Sequence, residues 1–225
     1  MTDLNGPRIA PRRGPARQLV VFLHGYGADG NDLIDLGRMW QELLPEAAFV
    51  SPHAPEPCGQ DPVGRQWFPL TFSEKNERWV GVNRVAPVLE RFIDAELGRH
   101  GLPPGALALV GFSQGTMTAL HVGLRRPAAP AAIVGYSGMF VLPDGGDPQS
   151  VAPEVRAHPP VLLVHGDRDD LIPPQMLLAS AECLAAINIP TEWHLATGLG
   201  HGIDQEGLRH GGEFLAKRFA AKPVL

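Results

Sequence analysis

Short, almost wholly apolar runs alternate along most of this sequence with segments whose apolar residues recur every three or four positions. A run that is apolar at every position is typical of a strand buried on both faces, whereas the three-to-four spacing is typical of an amphipathic helix. Strands that alternate with helices along a chain favour a mainly parallel sheet with helices on both faces. The sequence therefore predicts an α/β fold.

The predicted elements follow from these patterns. Strands are predicted at residues 18–24, 47–50, 106–110, 131–136, 161–164 and 191–195. Helices are predicted at residues 31–44, 79–98, 114–125, 174–187 and 203–220, with a kink at Pro87. Residues 52–66 and 138–159 are predicted loops, and residues 1–17 an irregular leader. No segment has the composition of a linker, so residues 18–225 are predicted to form a single domain without a large inserted lid.

Composition and charge indicate a globular protein and give no support for binding to nucleic acid. Hydrophobic residues make up 44% of the chain and charged residues 19%, which suits a globular protein with a sizeable core. The net charge of -5 offers no broad attraction to a phosphate backbone, so nucleic acid is not a predicted partner. Four arginines of the leader are expected to form a solvated arm: Arg8, Arg12, Arg13 and Arg17.

The sequence gives no indication of a metal, a redox centre or a membrane anchor. Its two cysteines, Cys58 and Cys183, form no Cys-x-x-Cys pair and are expected to be free thiols. The first residues lack the apolar core of a signal peptide, and no apolar run has the length of a membrane helix. We therefore expect a cytoplasmic protein without stable membrane insertion; the sequence does not indicate an oligomeric state.

The segment Gly111-Phe-Ser-Gln-Gly115 matches the pattern Gly-x-Ser-x-Gly. It lies between a predicted strand and a predicted helix, where a sharp turn exposes a nucleophilic serine and the helix N-terminus favours negative charge. In a chain with 26 glycines such a match arises by chance about once in twelve. The motif therefore needs support from the rest of the chain. Ser137 also follows a predicted strand but lacks the second glycine.

A nucleophilic serine requires a histidine that accepts its proton and a carboxylate that orients the histidine. Candidates for both follow later strands, in the chain order serine, acid, histidine. Asp167, Asp169 and Asp170 all compete for the acid role, and spacing does not decide among them. His201 lies in a glycine-rich loop just before the last predicted helix and is the candidate base.

Stabilising an oxyanion requires two N–H donors aimed at the reacting carbonyl oxygen. The N–H of Gln114 follows the candidate nucleophile, and the N–H of Tyr26 lies in the glycine-rich loop after the first strand. An ordinary tight turn is the alternative interpretation of that loop. His24 and His165 each precede a glycine at a strand end, where support of a loop by hydrogen bonding is the more frequent role.

Four motifs, taken in order, resemble the phospholipase/carboxylesterase family, which includes acyl-protein thioesterases and small bacterial esterases. They are Leu23-His-Gly-Tyr-Gly-Ala-Asp29, Gly111–Gly115, His165-Gly-Asp-Arg-Asp169 with Ile172-Pro173, and Gly200-His-Gly-Ile203. The likeness runs from about residue 18 to residue 218. It implies the α/β-hydrolase fold, Asp169 as the acid, and the N–H groups of Tyr26 and Gln114 as oxyanion donors.

The resemblance also bears on the substrate. It implies that Trp67 and Phe68 belong to an aromatic segment near the acyl site, with core packing as the alternative. Tyr26 and Thr116 stand where many relatives have leucine and glycine. A tyrosine ring at position 26 is expected to narrow or polarise the cleft, which bears on the preferred acyl chain.

The predicted function is hydrolysis of small carboxylic esters or acyl thioesters through an acyl-enzyme, with Ser113, His201 and Asp169 as the catalytic residues. This chemistry requires no cofactor and no metal. A lysophospholipase or acyl-protein thioesterase is the alternative within the same chemistry. The alternative from another class is a ligand receptor of the same fold that does not catalyse.

Overall fold

A computed structural model describes residues 4–59, 63–71 and 74–221. Its strands are β1 (Arg8–Ile9), β2 (Gln18–Leu23), β3 (Ala47–Val50), β4 (Glu56–Pro57), β5 (Arg65–Gln66), β6 (Leu107–Phe112), β7 (Ala132–Tyr136), β8 (Val161–Gly166) and β9 (Thr191–Ala196). Seven of them form one sheet in the order β1-β3-β2-β6-β7-β8-β9. All neighbours in it are parallel except β1 and β3. The predicted mainly parallel sheet is confirmed.

Helices cover both faces of this sheet, as predicted. They are α1 (Gly30–Trp40), α2 (Glu77–His100), α3 (Gln114–Arg125), α4 (Pro148–Val151), α5 (Gln175–Ala186) and α6 (Gln205–Ala220). The core on one face contains side chains of α2, α3 and α5, and the core on the other face contains side chains of α1 and α6. Among the described residues, no helix has the length and apolar character needed to span a membrane.

Strand β2 illustrates why the central strands are apolar at every position. Leu19, Val21 and Leu23 belong to the core beneath α2, α3 and α5. Val20 and Phe22 point to the opposite face, into the core beneath α1 and α6. All five are fully buried because both faces are covered. Alternate side chains of a strand point to opposite faces, so each position here requires an apolar residue.

The predicted irregular leader is corrected at Arg8–Ile9. These residues form β1, which pairs antiparallel with β3 at the edge of the sheet. Arg8 is not part of a solvated arm, because its guanidinium donates from Nη2 to Oε1 of Glu96 at 2.7 Å and from Nε to Oε2 at 3.1 Å. Glu96 is buried, and a buried carboxylate requires such a partner. The domain boundary at residue 18 stays a prediction.

Other boundaries also differ from the predictions. Helix α1 ends at Trp40 rather than residue 44: residues 41–43 form a turn, and Pro45 disfavours helical backbone at Leu44. Strands β4 and β5 pair within the predicted loop 52–66, and α4 lies within the predicted loop 138–159. Helix α2 contains Pro87 in its interior, and the kink expected there stays a prediction. Between strands, the described ranges contain only loops, these helices and two short 3-10 helices, Pro104–Ala106 and Ala152–Glu154, so no inserted lid domain is present there.

Candidate active site

Ser113 occupies a strained turn between β6 and α3. Its backbone angles are φ 53° and ψ -115°, in a region that non-glycine residues rarely adopt. Its N–H donates to the carbonyl oxygen of Tyr136 at 2.9 Å. A Cβ at Gly111 would lie 2.4 Å from the N of Thr116, and one at Gly115 would lie 1.8 Å from the carbonyl oxygen of Leu23. The two glycines of the motif are therefore required by close backbone contacts.

Thr116 fixes the first turn of α3 to the sheet. Its hydroxyl oxygen lies 2.8 Å from the carbonyl oxygen of Gly111 and 2.9 Å from that of Tyr136. The side chain of Thr116 is fully buried. It packs closely against Gly138, where an added Cβ would lie 2.4 Å from the Cβ of Thr116. The hydroxyl thus joins α3 to the ends of β6 and β7 beside Ser113, and its proton is shared between two carbonyl acceptors.

Asp169 and His201 are 32 residues apart and share a hydrogen bond. Nδ1 of His201 lies 2.8 Å from Oδ2 of Asp169. The side chain of Asp169 is fully buried, and that of His201 is only 15% exposed. With the proton of Nδ1 directed at the carboxylate, Nε2 is left as the proton acceptor. This is the arrangement that a general base of acyl transfer requires.

The structure separates the three aspartates that compete for the acid role. Asp169 alone contacts His201; Asp167 accepts a hydrogen bond from the N–H of Gly198 at 2.6 Å, and Asp170 is exposed. Burial opposes the charge of Asp169, but its hydrogen bonds outweigh burial and hold its pKa below the usual range. The donors are the N–H of Ile172, the ring of His201 and the N–H of Leu171.

Two further side chains support this pair. Nε2 of buried His165 donates to the carbonyl oxygen of Ile172 at 2.8 Å and lies 3.1 Å from Oδ2 of Asp169. The hydroxyl of Ser137 donates to the carbonyl oxygen of Gly202, the residue after His201, at 3.0 Å. The supporting role of His165 is as predicted, whereas that of Ser137 is not predicted from the sequence. The position of Ser137, directly after a strand parallel to β6, is the signal that could have indicated it.

His201 lies beside the turn that carries Ser113. Its ring centroid is 5.0 Å from that of Phe112, the residue before the serine. Within the described part of the chain, no hydrogen bond joins its ring to the hydroxyl of Ser113. Catalytic hydrogen bonds of free enzymes are often long and tighten only when substrate binds. The three predicted residues are thus carried by loops at the same edge of the sheet, with the acid–base pair already formed.

The loop after β2 lies against the same turn. A Cβ at Gly25 would lie 3.4 Å from the Cβ of Ser113, so the backbone of this loop passes close to Ser113. The N–H of Gly27 donates to Arg65, which fixes the loop to β5. Among the described turns and loops, no hydrogen bond uses the N–H of Tyr26 or of Gln114. Their role as oxyanion donors stays a prediction.

The side chain of Tyr26 lies at the surface, where 44% of it is exposed. A hydrogen bond with Cys58 is the main cause that raises the pKa of its phenol. The phenol thus lies beside Cys58, and the expected narrowing of the cleft by this ring stays a prediction. Cys58 and Cys183 are both free thiols, as predicted.

Trp67 and Phe68 are fully buried in the core. The side chain of Gln114 holds their backbone: its Oε1 accepts from the N–H of Trp67 at 2.8 Å, and its Nε2 donates to the carbonyl oxygen of Phe68 at 2.7 Å. Their burial favours the packing alternative over direct substrate contact. Only the N–H of Gln114 has a predicted role; this use of its side chain is not predicted from the sequence.

His24 organises the loop that carries Tyr26. Its Nδ1 donates to the carbonyl oxygen of Gly25 at 2.8 Å, and its Nε2 accepts from the N–H of Ala54 at 3.0 Å. Burial lowers the pKa of this ring to about 4, so it is neutral near pH 7. The predicted role of loop support is confirmed for His24.

The comparisons with known proteins agree on one family. The model of the phospholipase/carboxylesterase family matches residues 4–219. The chain belongs to this family. The fission yeast Schizosaccharomyces pombe has an acyl-protein thioesterase 1 that is 32% identical to the chain over 170 residues, which cover 73% of this chain and 74% of that protein. The esterase YpfH of Escherichia coli K12 is 27% identical over 87% of this chain and 80% of its own length.

Solved structures of the family share the fold. The crystal structure of esterase PE8 is 40% identical and covers 96% of this chain and 99% of its own, with a TM-score of 0.90. That of SOBER1 from Arabidopsis thaliana is 23% identical over 90% of this chain and 99% of its own, with a TM-score of 0.78. The chain therefore has the α/β-hydrolase fold and belongs among esterases and acyl-protein thioesterases, as its motifs predicted.

Proposed function

We propose that this protein hydrolyses small carboxylic esters or acyl thioesters through an acyl-enzyme formed on Ser113. The observation that carries the proposal is the hydrogen bond of 2.8 Å between Nδ1 of His201 and the buried carboxylate of Asp169. That bond leaves Nε2 of the ring as a base beside the turn of Ser113. If His201 served only to pack against its neighbours, its partly exposed ring would not need the buried carboxylate of Asp169 to orient it.

Each step follows from these groups. The hydroxyl oxygen of Ser113 attacks the substrate carbonyl while His201 accepts its proton. The bond to the leaving alcohol or thiol then breaks, and His201 returns the proton to that leaving group. Water attacks the acyl-enzyme by the same route in reverse, which releases the carboxylic acid and restores Ser113.

Two charges develop along this path, and the site stabilises both. Asp169 remains ionised because its pKa lies below the usual range, and so it stabilises the imidazolium form of His201. The N–H groups of Tyr26 and Gln114 stabilise the oxyanion. Gln114 begins α3, whose N-terminus carries a partial positive charge.

Replacement of the nucleophile tests the proposal. Ser113→Ala is expected to lower turnover of p-nitrophenyl acetate and butyrate by more than about a thousandfold, because no other hydroxyl occupies the turn. The exposed Ser150→Ala serves as a matched control and should retain wild-type turnover. Activity of the Ser113 variant near that of the control would refute the proposal. If neither the wild type nor the Ser150 control turned over any ester, the result would also refute the proposal and would favour the competing hypothesis of a non-catalytic receptor.

A second candidate is the hydrolysis of longer acyl chains, as in a lysophospholipase or acyl-protein thioesterase. A cavity of about 430 Å³ favours it, formed by the loop after β7 with the start of α2 and the first turns of α5. Its lining combines apolar side chains with charged ones: Leu70, Trp79, Met139, Phe140 and Met176, and Glu74, Glu77, Arg78 and Asp144. Met139 lies two residues beyond Ser137, so the cavity begins next to the site. Ser113 and His201 do not line it.

A further inference from the structure

Three potential metal ligands meet on the side of the molecule where α6 packs against the outer strand β9. They are His194 in β9 and Glu206 and His210 in α6. One ring nitrogen of each histidine and one carboxylate oxygen all lie within 4.8 Å of one another. None of the three belongs to the catalytic residues of the proposed function.

The local structure explains how they converge. Glu206 and His210 are four residues apart and so project from the same side of α6. Nε2 of His210 lies 3.6 Å from Oε1 of Glu206. The ring centroids of His194 and His210 are 4.5 Å apart, at an interplanar angle of 46°. The strand supplies one imidazole, and the helix supplies the second together with the carboxylate.

A surface ion pair between Glu206 and His210 does not account for the whole cluster. Nε2 of His194 is buried and has no hydrogen-bond partner among the described residues. A buried polar atom without a partner is costly, and two adjacent imidazoles that were both protonated would repel each other. A cation bound between them would accept both lone pairs and balance the charge of the carboxylate.

We propose that His194, Glu206 and His210 bind a divalent transition-metal cation, with Zn²⁺ the best fit, and that the ion joins β9 to α6. Two imidazoles and one carboxylate form a donor set that suits Zn²⁺, whose fourth position is then taken by water. Ligand atoms of tetrahedral Zn²⁺ lie about 3.4 Å apart, given bonds of about 2.1 Å. The present separations therefore require side-chain movements of only about 1 Å.

Arg209 is the neighbouring cation that must yield. Its Nη2 lies 3.5 Å from Nε2 of His210 and 3.9 Å from Oε1 of Glu206. Its shortest contact is with another residue, because Nη1 donates to Oε2 of Glu213 at 2.8 Å. Rotation toward Glu213 keeps that pair and moves the guanidinium away from the metal ligands.

The position of the site gives the ion a structural role. Strand β9 ends at Ala196 and α6 begins at Gln205, and the loop between them carries His201. A metal bound by both elements would join the two stems of this loop. Since the ion binds the folded chain and not the separated ligands of the unfolded chain, it is expected to raise the melting temperature.

The test measures Zn²⁺ binding to the full chain by competition with a chromophoric chelator, together with the melting temperature in Zn²⁺ or EDTA. The wild type is expected to bind one Zn²⁺ per chain and to melt at a higher temperature with the metal. His194→Gln and His210→Gln should each weaken binding by more than the roughly 10- to 100-fold that loss of a supporting outer-shell partner costs. Both variants should also lose the shift in melting temperature.

Two controls make the result decisive. His158→Gln removes an exposed histidine outside the cluster and should bind Zn²⁺ as the wild type does. Esterase turnover in EDTA should be equal in all four proteins, which shows that the variants are folded. The proposal is overturned if the wild type shows neither binding nor a melting shift, or if Zn²⁺ binds equally well to the His194 and His210 variants.

Discussion

Gly115 leaves no space for a side chain where α3 begins. A Cβ there would lie 1.8 Å from the carbonyl oxygen of Leu23 and 2.8 Å from that of His24. Both atoms belong to the backbone that leads into the loop after β2, so neither can rotate away. Gly115 therefore sets the distance between the turn that carries Ser113 and the loop that carries Tyr26.

Gly115→Ala is expected to destabilise the protein by about 1–3 kcal/mol or more, as overpacking of a rigid core does, and to lower ester turnover with it. Gly98→Ala is the matched control, because no atom lies within 4 Å of a Cβ at Gly98 in α2. That change should leave turnover intact and stabilise the helix by about 0.5–1 kcal/mol. Urea unfolding measures the stability of both variants. If Gly115→Ala and Gly98→Ala were equally stable, this explanation of Gly115 would be contradicted.

The sequence was most informative about residues whose chemistry is bound to a local motif. Ser113 and Gln114 could be predicted because a turn of this kind requires its flanking glycines. The choice among Asp167, Asp169 and Asp170 could not be made from spacing, because it depends on where the loop after β8 meets His201. The roles of Ser137 and of the Gln114 side chain depend on contacts 65 and 46–47 residues away along the chain.

Among the elements, fully buried strands could be predicted and very short ones could not. Strands β2, β6 and β8 are almost wholly apolar because helices cover both of their faces. Strands β1, β4 and β5 have two residues each and exist only through their partners, so no local pattern indicates them. The same limit applies to the proposed metal site, whose β9 ligand is 12 residues from its nearest partner in α6.

Helix α5 forms one wall of the cavity beside the site, and Ala179 lies on that wall. Ala179→Trp is expected to fill part of the cavity and to lower turnover of long acyl esters more than that of acetate esters. Ala185→Trp, on the exposed side of the same helix, is the matched control. A series of p-nitrophenyl esters and acyl thioesters of increasing length measures the effect. If Ala179→Trp lowered turnover equally at every length, the cavity would not be an acyl site.

The stability of the fold depends on keeping two buried histidines neutral. Burial lowers the pKa of His24 to about 4, and burial together with Arg125 lowers that of His121 to about 3. Both values lie below the ordinary 6.5 of an unfolded chain. The unfolded chain therefore binds more protons as the pH falls below about 6.5, and this favours unfolding.

The free energy of unfolding should thus fall by about 2 kcal/mol per histidine between pH 7.5 and pH 5. The pKa of Asp169 is lowered from its ordinary 3.8, so that carboxylate loses its contribution only at lower pH. His121→Leu removes one of the two titrations and should show a shallower dependence on pH. Urea unfolding at the two pH values measures this; parallel curves for the two proteins would contradict the assignment.

The order of the strands in the sheet is likewise a property of the complete fold and not of any one segment. The alternation of strands and helices predicts a parallel sheet, but it does not predict that β3 lies outside β2 or that β6 lies next to it. That order makes β2, β6, β7, β8 and β9 successive neighbours, and because they are parallel their carboxyl ends lie at one edge of the sheet. The loops that follow these strands carry every residue of the proposed site.

Covalent labelling by a fluorophosphonate tests most directly whether those loops form one catalytic unit. Mass spectrometry is expected to find the label on Ser113 in the wild type and none in Ser113→Ala. The labelling rate should fall steeply in His201→Gln and in Asp169→Asn, because both changes deprive the serine of its oriented base. A wild type that does not react, a label on another residue, or an unchanged rate in the His201 variant would contradict the account.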